Sequence, residues 1–129
     1  SLGRQPTDQE LAEVYVPGQR EQVSVTGSGA RQFASIPVAD GRAVRIGVVA
    51  WGIDQSNADR YYFENTFSYE NEGGTLAALK ALPAADRNDG GWTGLAAATP
   101  STSVNLSLAG SANTVKWYIH WWYQECAVL

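Results

Sequence analysis

Side chains able to do acid–base or nucleophilic chemistry are few in this 129-residue sequence. There is one histidine, His120, and one cysteine, Cys126. On one extended strand their separation is roughly 20 Å, so they cannot act as a thiol–imidazole pair within a chain. Cys126 reads instead as a small half-buried residue near the C-terminus. With a single histidine, no Ser-His-Asp triad can use another, and a zinc site is short of ligands. The carboxylates Asp54, Asp59, Glu64, Glu70, Glu72, Asp86 and Asp89 are scattered. Glu64 and Glu70 fall on one strand face but roughly 20 Å apart, beyond the spacing of a glycosidase pair. The run D-Q-S-N-A-D from Asp54 lacks the sixth-position glycine and the distant glutamate of a calcium-binding loop, and reads as a polar turn. Gly27, Gly29, Gly73, Gly74, Gly90 and Gly91 match no phosphate-binding pattern and read as turn glycines. The expectation is a protein that is not an enzyme and holds no metal and no cofactor.

Aromatic side chains are the remaining candidates, and five Trp, six Tyr and three Phe are a heavy load for this length. They concentrate in Asn113–Glu125, N-T-V-K-W-Y-I-H-W-W-Y-Q-E. Successive strand residues point to opposite faces. Val115, Trp117, Ile119, Trp121 and Tyr123 therefore share one apolar face, and Trp117 and Trp121 are assigned to the core. Lys116, Tyr118, His120, Trp122 and Gln124 share the other. Tyr118 and Trp122 among polar groups suit a sugar-binding platform or an anchor in a protein interface. A second sheet or neighbouring subunit covering that face fits them as well. Trp92 follows Gly90-Gly91 at a loop edge and is a candidate for loop-borne sugar binding. Tyr62 also lies opposite the residues assigned to the core.

Composition bounds the rest. The length suits one domain. With 44% hydrophobic and 17% charged residues the chain is globular. A net charge of −4 and the absence of any basic run predict no nucleic-acid partner. No apolar run approaches a membrane span, so no membrane insertion is expected, and the first residues lack the pattern of a signal peptide.

Strands must position these side chains. Residues 1–18 read as an N-terminal arm or linker. There, Thr7-Asp8-Gln9-Glu10 fits a capping box for a short helix to about Glu13, and Pro17-Gly18 marks a break. Residues 19–129 read as strands and turns. Strands are expected over Glu21–Thr26, Arg31–Val38, Ala43–Ile53, Arg60–Glu70 and Val104–Leu108, with a final one over Thr114–Gln124. Asp40-Gly41 signals a hairpin. Ala43–Ile53 is apolar on both faces, which predicts cover on both sides of its second half. Thr75–Lys80 fits a short strand, an irregular stretch or a helical turn. Seven or eight strands with frequent turns predict an all-β fold, a two-sheet antiparallel β-sandwich, jelly-roll-like.

Three stretches resemble a known family. They are A-V-R-I-G-V-V-A-W-G-I-D-Q-S-N-A-D-R-Y-Y-F-E-N-T-F-S-Y, the break N-E-G-G-T-L, and S-V-N-L-S-L-A-G-S-A-N-T-V-K-W-Y-I-H-W-W-Y. This pattern, over roughly residues 20–125, is similar to the small C-terminal β-sandwich module of tailed-bacteriophage tail fibres, tail spikes and related virion proteins. Trp121, Trp122 and Tyr123 exceed that pattern. The resemblance carries over no catalytic residue. It implies a non-enzymatic structural module at the virion surface, made in the host cytoplasm. It also implies homotrimer assembly, contact with other virion proteins, and contact with a host cell-surface glycan. The alternative is a carbohydrate-binding module appended to a glycan-active enzyme.

Overall fold

The computed structural model describes residues 14–27, 29–89 and 95–127. The helix expected after Thr7 and the candidate Trp92 lie outside the described residues. Among those described, the regular structure is nine strands and no helix. The larger sheet has the order β1 (Val14–Thr26), β9 (Thr114–Ala127), β3 (Arg42–Asp54), β4 (Arg60–Glu72), β5 (Thr75–Lys80), and the two-residue β6 (Arg87–Asn88) pairs with β4. The smaller sheet has the order β2 (Arg31–Pro37), β8 (Ser103–Leu108), β7 (Leu95–Ala98). Every pairing is antiparallel. The all-β expectation holds, and so does that of two antiparallel sheets.

Each sheet turns one face to a shared core, as alternation requires. Val44, Ile46, Val48 and Ala50 of β3 align with Phe63 and Phe67 of β4 and with Ile119 of β9. They meet Ala34 and Ile36 of β2 and Val104, Leu106 and Leu108 of β8. Trp117 has no exposed surface, and its ring lies 6.2 Å from that of Tyr61. Trp121 and Tyr123 point to the same side but stay half-buried, their rings stacked at 6.3 Å. Trp121 Nε1 donates to Glu21 Oε2 at 3.3 Å.

Two glycines fix the register of the central pair. Gly52 lies opposite Trp117 on the core face, and Gly47 lies opposite Trp122 on the outer face. A Cβ at Gly52 would come within 2.6 Å of the Trp117 ring, and one at Gly47 within 2.2 Å of the Trp122 ring. Each indole lies flat on bare backbone that a larger residue would occupy, the close approach that glycine within a strand permits.

The turns correct two sequence expectations. Asp40-Gly41 does not close a hairpin, because β2 and β3 belong to different sheets. A strand has two edges, and those of β3 are taken by β9 and β4. The dipeptide instead carries the chain between sheets. The Arg42 amide donates to Ala39 O at 3.1 Å, and Gly41 takes φ +79°. Pro17-Gly18 does not mark a break between an arm and the strands. It lies inside β1, where Val16 pairs with Tyr123 but Gln19 with Trp121, so one extra residue makes a bulge. Gly73 and Gly74 are turn glycines as expected, both at positive φ in a two-residue turn, and Thr75–Lys80 resolves to a strand that pairs with β4.

Two buried polar side chains lock the ends of the large sheet. The Asn71 amide donates to Val38 O at 2.8 Å, and its Oδ1 accepts from the Gly74 amide at 2.9 Å. Asp54 Oδ1 accepts from the Ser56 amide at 2.8 Å. Its Oδ2 accepts from the Ser111 hydroxyl at 2.7 Å and from Asn113 Nδ2 at 3.3 Å. D-Q-S-N-A-D is thus a turn whose first carboxylate ties it to the loop before β9.

Candidate functional site

The outer face of the large sheet, away from the smaller sheet, carries the exposed aromatics. Antiparallel register lines up Gln22, Tyr118, Trp51, Tyr62 and Arg87 across β1, β9, β3, β4 and β6. Neighbouring strands stand about 4.8 Å apart, so the three aromatic residues form a row roughly 10 Å long. Trp51 is 48% exposed and Tyr118 is 42% exposed, while Tyr62 is half-buried. They border an open groove of about 610 Å³, together with Arg20, Val49 and His120. A smaller hollow between Trp51 and Tyr62 is edged by Arg60 and Arg87.

The sequence candidates separate here. Tyr118 and Tyr62 come together, with Trp51 between them. Trp122 shares the face but lies four residues along β9 from Tyr118, roughly 13 Å. It is half-buried on Gly47, with the Arg45 guanidinium 5.2 Å from its ring centroid. Trp51 was missed: the apolar second half of β3 suggested cover on both faces. Among the described residues the outer side of Trp51 is open, and register sets it between Tyr118 and Tyr62. Once β3 and β9 are set in register by their glycines and tryptophans, Trp51 falls beside Tyr118.

Hydrogen bonds hold the β4 end of the row. The Tyr62 hydroxyl donates to Glu64 Oε2. That bond, followed by desolvation, raises the phenol above its ordinary range. The Glu64 amide donates to Asp86 Oδ2 at 2.7 Å, and the Asp86 amide to Tyr62 O at 2.8 Å. Arg87 and Asp89 pair at 3.0 Å, and Asp89 also accepts from the Arg60 amide at 2.9 Å. The Arg87 hydrogen bond is the main cause holding the Asp89 carboxyl below its ordinary value. At the other end, Lys116 Nζ lies 5.8 Å from the Tyr118 ring centroid, and His120 packs over Gly18 of the bulge. Flat rings edged by donors and acceptors can stack on an apolar sugar face while bonding its hydroxyls. Among the described residues no three His, Cys, Asp or Glu side chains are grouped so as to hold a metal ion. No described helix is long and apolar enough to cross a membrane.

No protein-family model matches this sequence, and no curated protein does. Among solved structures, the chain is similar to a tailspike protein, gp49, from Acinetobacter baumannii bacteriophage Fri1, described as a capsular polysaccharide depolymerase. The identity is 16% and the TM-score 0.40, over 85% of this chain and 19% of that protein. The chain therefore spans about a fifth of the length of the tailspike it resembles.

Proposed function

We propose that this chain is a non-enzymatic module of a phage virion, part of a tail fibre, a tail spike or a head-surface protein, and a jelly-roll-like β-sandwich. Its task is contact with host-surface glycan through the outer face of the large sheet. The observation that carries this reading is the Tyr118–Trp51–Tyr62 row, in which Trp51 and Tyr118 are exposed and which is edged by hydrogen-bonding groups. The strand and turn pattern resembling virion modules supports the setting. The lone His120, set over Gly18, and carboxylates spent on backbone amides support a binding rather than a catalytic role.

A panel of bacterial surface polysaccharides, titrated calorimetrically, tests this. Binding by the wild type should weaken roughly tenfold on Trp51→Ala, the size of one aromatic hot spot, with the circular dichroism unchanged. Binding unaffected by both Trp51→Ala and Tyr118→Ala would remove the row from the reading. A turnover rate on any polysaccharide, ester or peptide that a single carboxylate substitution abolishes would end the non-enzymatic part.

A second role, homotrimer assembly, is favoured by a different observation. Trp121 and Tyr123 lie on the core side of β9 yet remain half-buried. An interface between copies there leaves the outer face open to ligand.

A further inference from the structure

Resting on the glycan-contact reading, we infer that the ligand of this face is an acidic, uronic-acid-bearing polysaccharide. The chain has a net charge of −4, and both signs of charge flank the aromatic row, with Glu21 also lining the groove and engaged by Trp121 Nε1. Beside the row on one side, register places Lys116, Ile53 and Arg60 in line. On the other side stand Arg20, His120, Val49 and Glu64. Arg87 closes the row itself. Four of the nine Lys and Arg side chains thus surround three rings.

The two signs of charge are used differently. The acids at the β4 end are engaged within the protein: Glu64 by the Tyr62 hydroxyl, Asp86 by the Glu64 amide, Asp89 by Arg87 and the Arg60 amide. At the opposite end, Arg20 and Lys116 form no ion pair among the described residues. Rings that stack on sugar faces, flanked by cations free to take carboxylates, fit a polymer with one anionic group per sugar. Arginine matches a carboxylate with two parallel hydrogen bonds. A nucleic acid fits less well. Its charge is dense and continuous, a phosphate every 3.4 Å or so along a strand, and would run onto Glu64, Asp86 and Asp89.

The test is calorimetric titration of the full chain with oligomers of galacturonate, alginate and hyaluronan, each beside its methyl ester. The ester keeps the rings and removes the charge. At least one acid form should bind about tenfold more tightly than its ester, the worth of one charge-assisted hydrogen bond. That advantage should shrink as salt is raised. Arg20→Glu with Lys116→Glu should erase the difference between acid and ester, and Trp51→Ala should weaken both. Equal affinity for acids and esters would overturn the inference while leaving the glycan reading standing. No binding of either form would overturn the inference, and the glycan reading would then rest on the polysaccharide panel alone. Tighter binding of a thymidine oligonucleotide than of every uronate oligomer would assign the face to nucleic acid. A multimer mass that Trp51→Ala dissociates would assign it to a second copy. Either of these last results overturns the inference.

Discussion

Trp117 shows how one side chain can be fixed from two sides. Its indole lies flat on Gly52 in the sheet and beside Tyr61, and no part of it reaches solvent. Trp117→Ala should cost about 3–5 kcal/mol, read as a shift in the urea unfolding midpoint with an unchanged slope. Asp54 is the polar counterpart. The Ser111 hydroxyl, then the Ser56 amide, hold its carboxyl below the ordinary value of 3.8, against an opposing effect of burial. A carboxyl with a lowered folded-state pKa adds stability in full above its unfolded value and loses it as pH falls through the folded one. Thermal melts below about pH 4 should therefore show a falling midpoint, with a shallower fall in Asp54→Asn. An identical acid slope in the two proteins would mean that Asp54 stays charged, or contributes nothing, over that range.

At the scale of elements, β3 and β9 are joined by more than a ladder of backbone bonds. Gly47→Ala would drive a Cβ into the Trp122 ring at 2.2 Å, costing about 1–3 kcal/mol through forced repacking. In a Trp122→Ala background most of that cost should vanish. Urea unfolding of the four proteins gives the coupling directly, and additive costs would show that the indole does not rest on Gly47 in solution. The same pairing shows how far the sequence could be read. Glycines at 47 and 52 and tryptophans at 117 and 122 have equal separations, and an odd separation puts one pair on each face. That pattern is legible, but alternation within one strand does not say which residue of another strand it faces. Strand positions and the buried Trp117 therefore emerged, while the row that places Trp51 beside Tyr118 did not. Asp40-Gly41 was misread for a related reason. A local turn signal says nothing about which strand edges are already occupied. Trp121 came out half-buried because alternation gives the face of a residue, and not how far the opposite sheet extends over it.

For the molecule as a whole, the two faces of the large sheet divide the proposed tasks. The core side, with Trp121 and Tyr123 half-buried, is the side proposed for assembly, and light scattering at micromolar concentration should give a trimer mass. Trp121→Glu should return it to monomer while leaving the Tyr118–Trp51–Tyr62 row intact, whereas a wild-type monomer would remove assembly from the proposal. The bulge in β1 bears on a different hazard. With eleven of its thirteen residues paired to β9 and, among the described residues, to no other strand, β1 is a long sheet edge of the kind on which foreign strands polymerise. Proline has no amide hydrogen to offer an incoming strand, and the extra residue beside Gly18 throws the donor–acceptor spacing out of step. Beyond it, Arg20 and Glu21 are exposed and alternate in sign. The irregularity thus protects the chain against runaway edge-to-edge stacking.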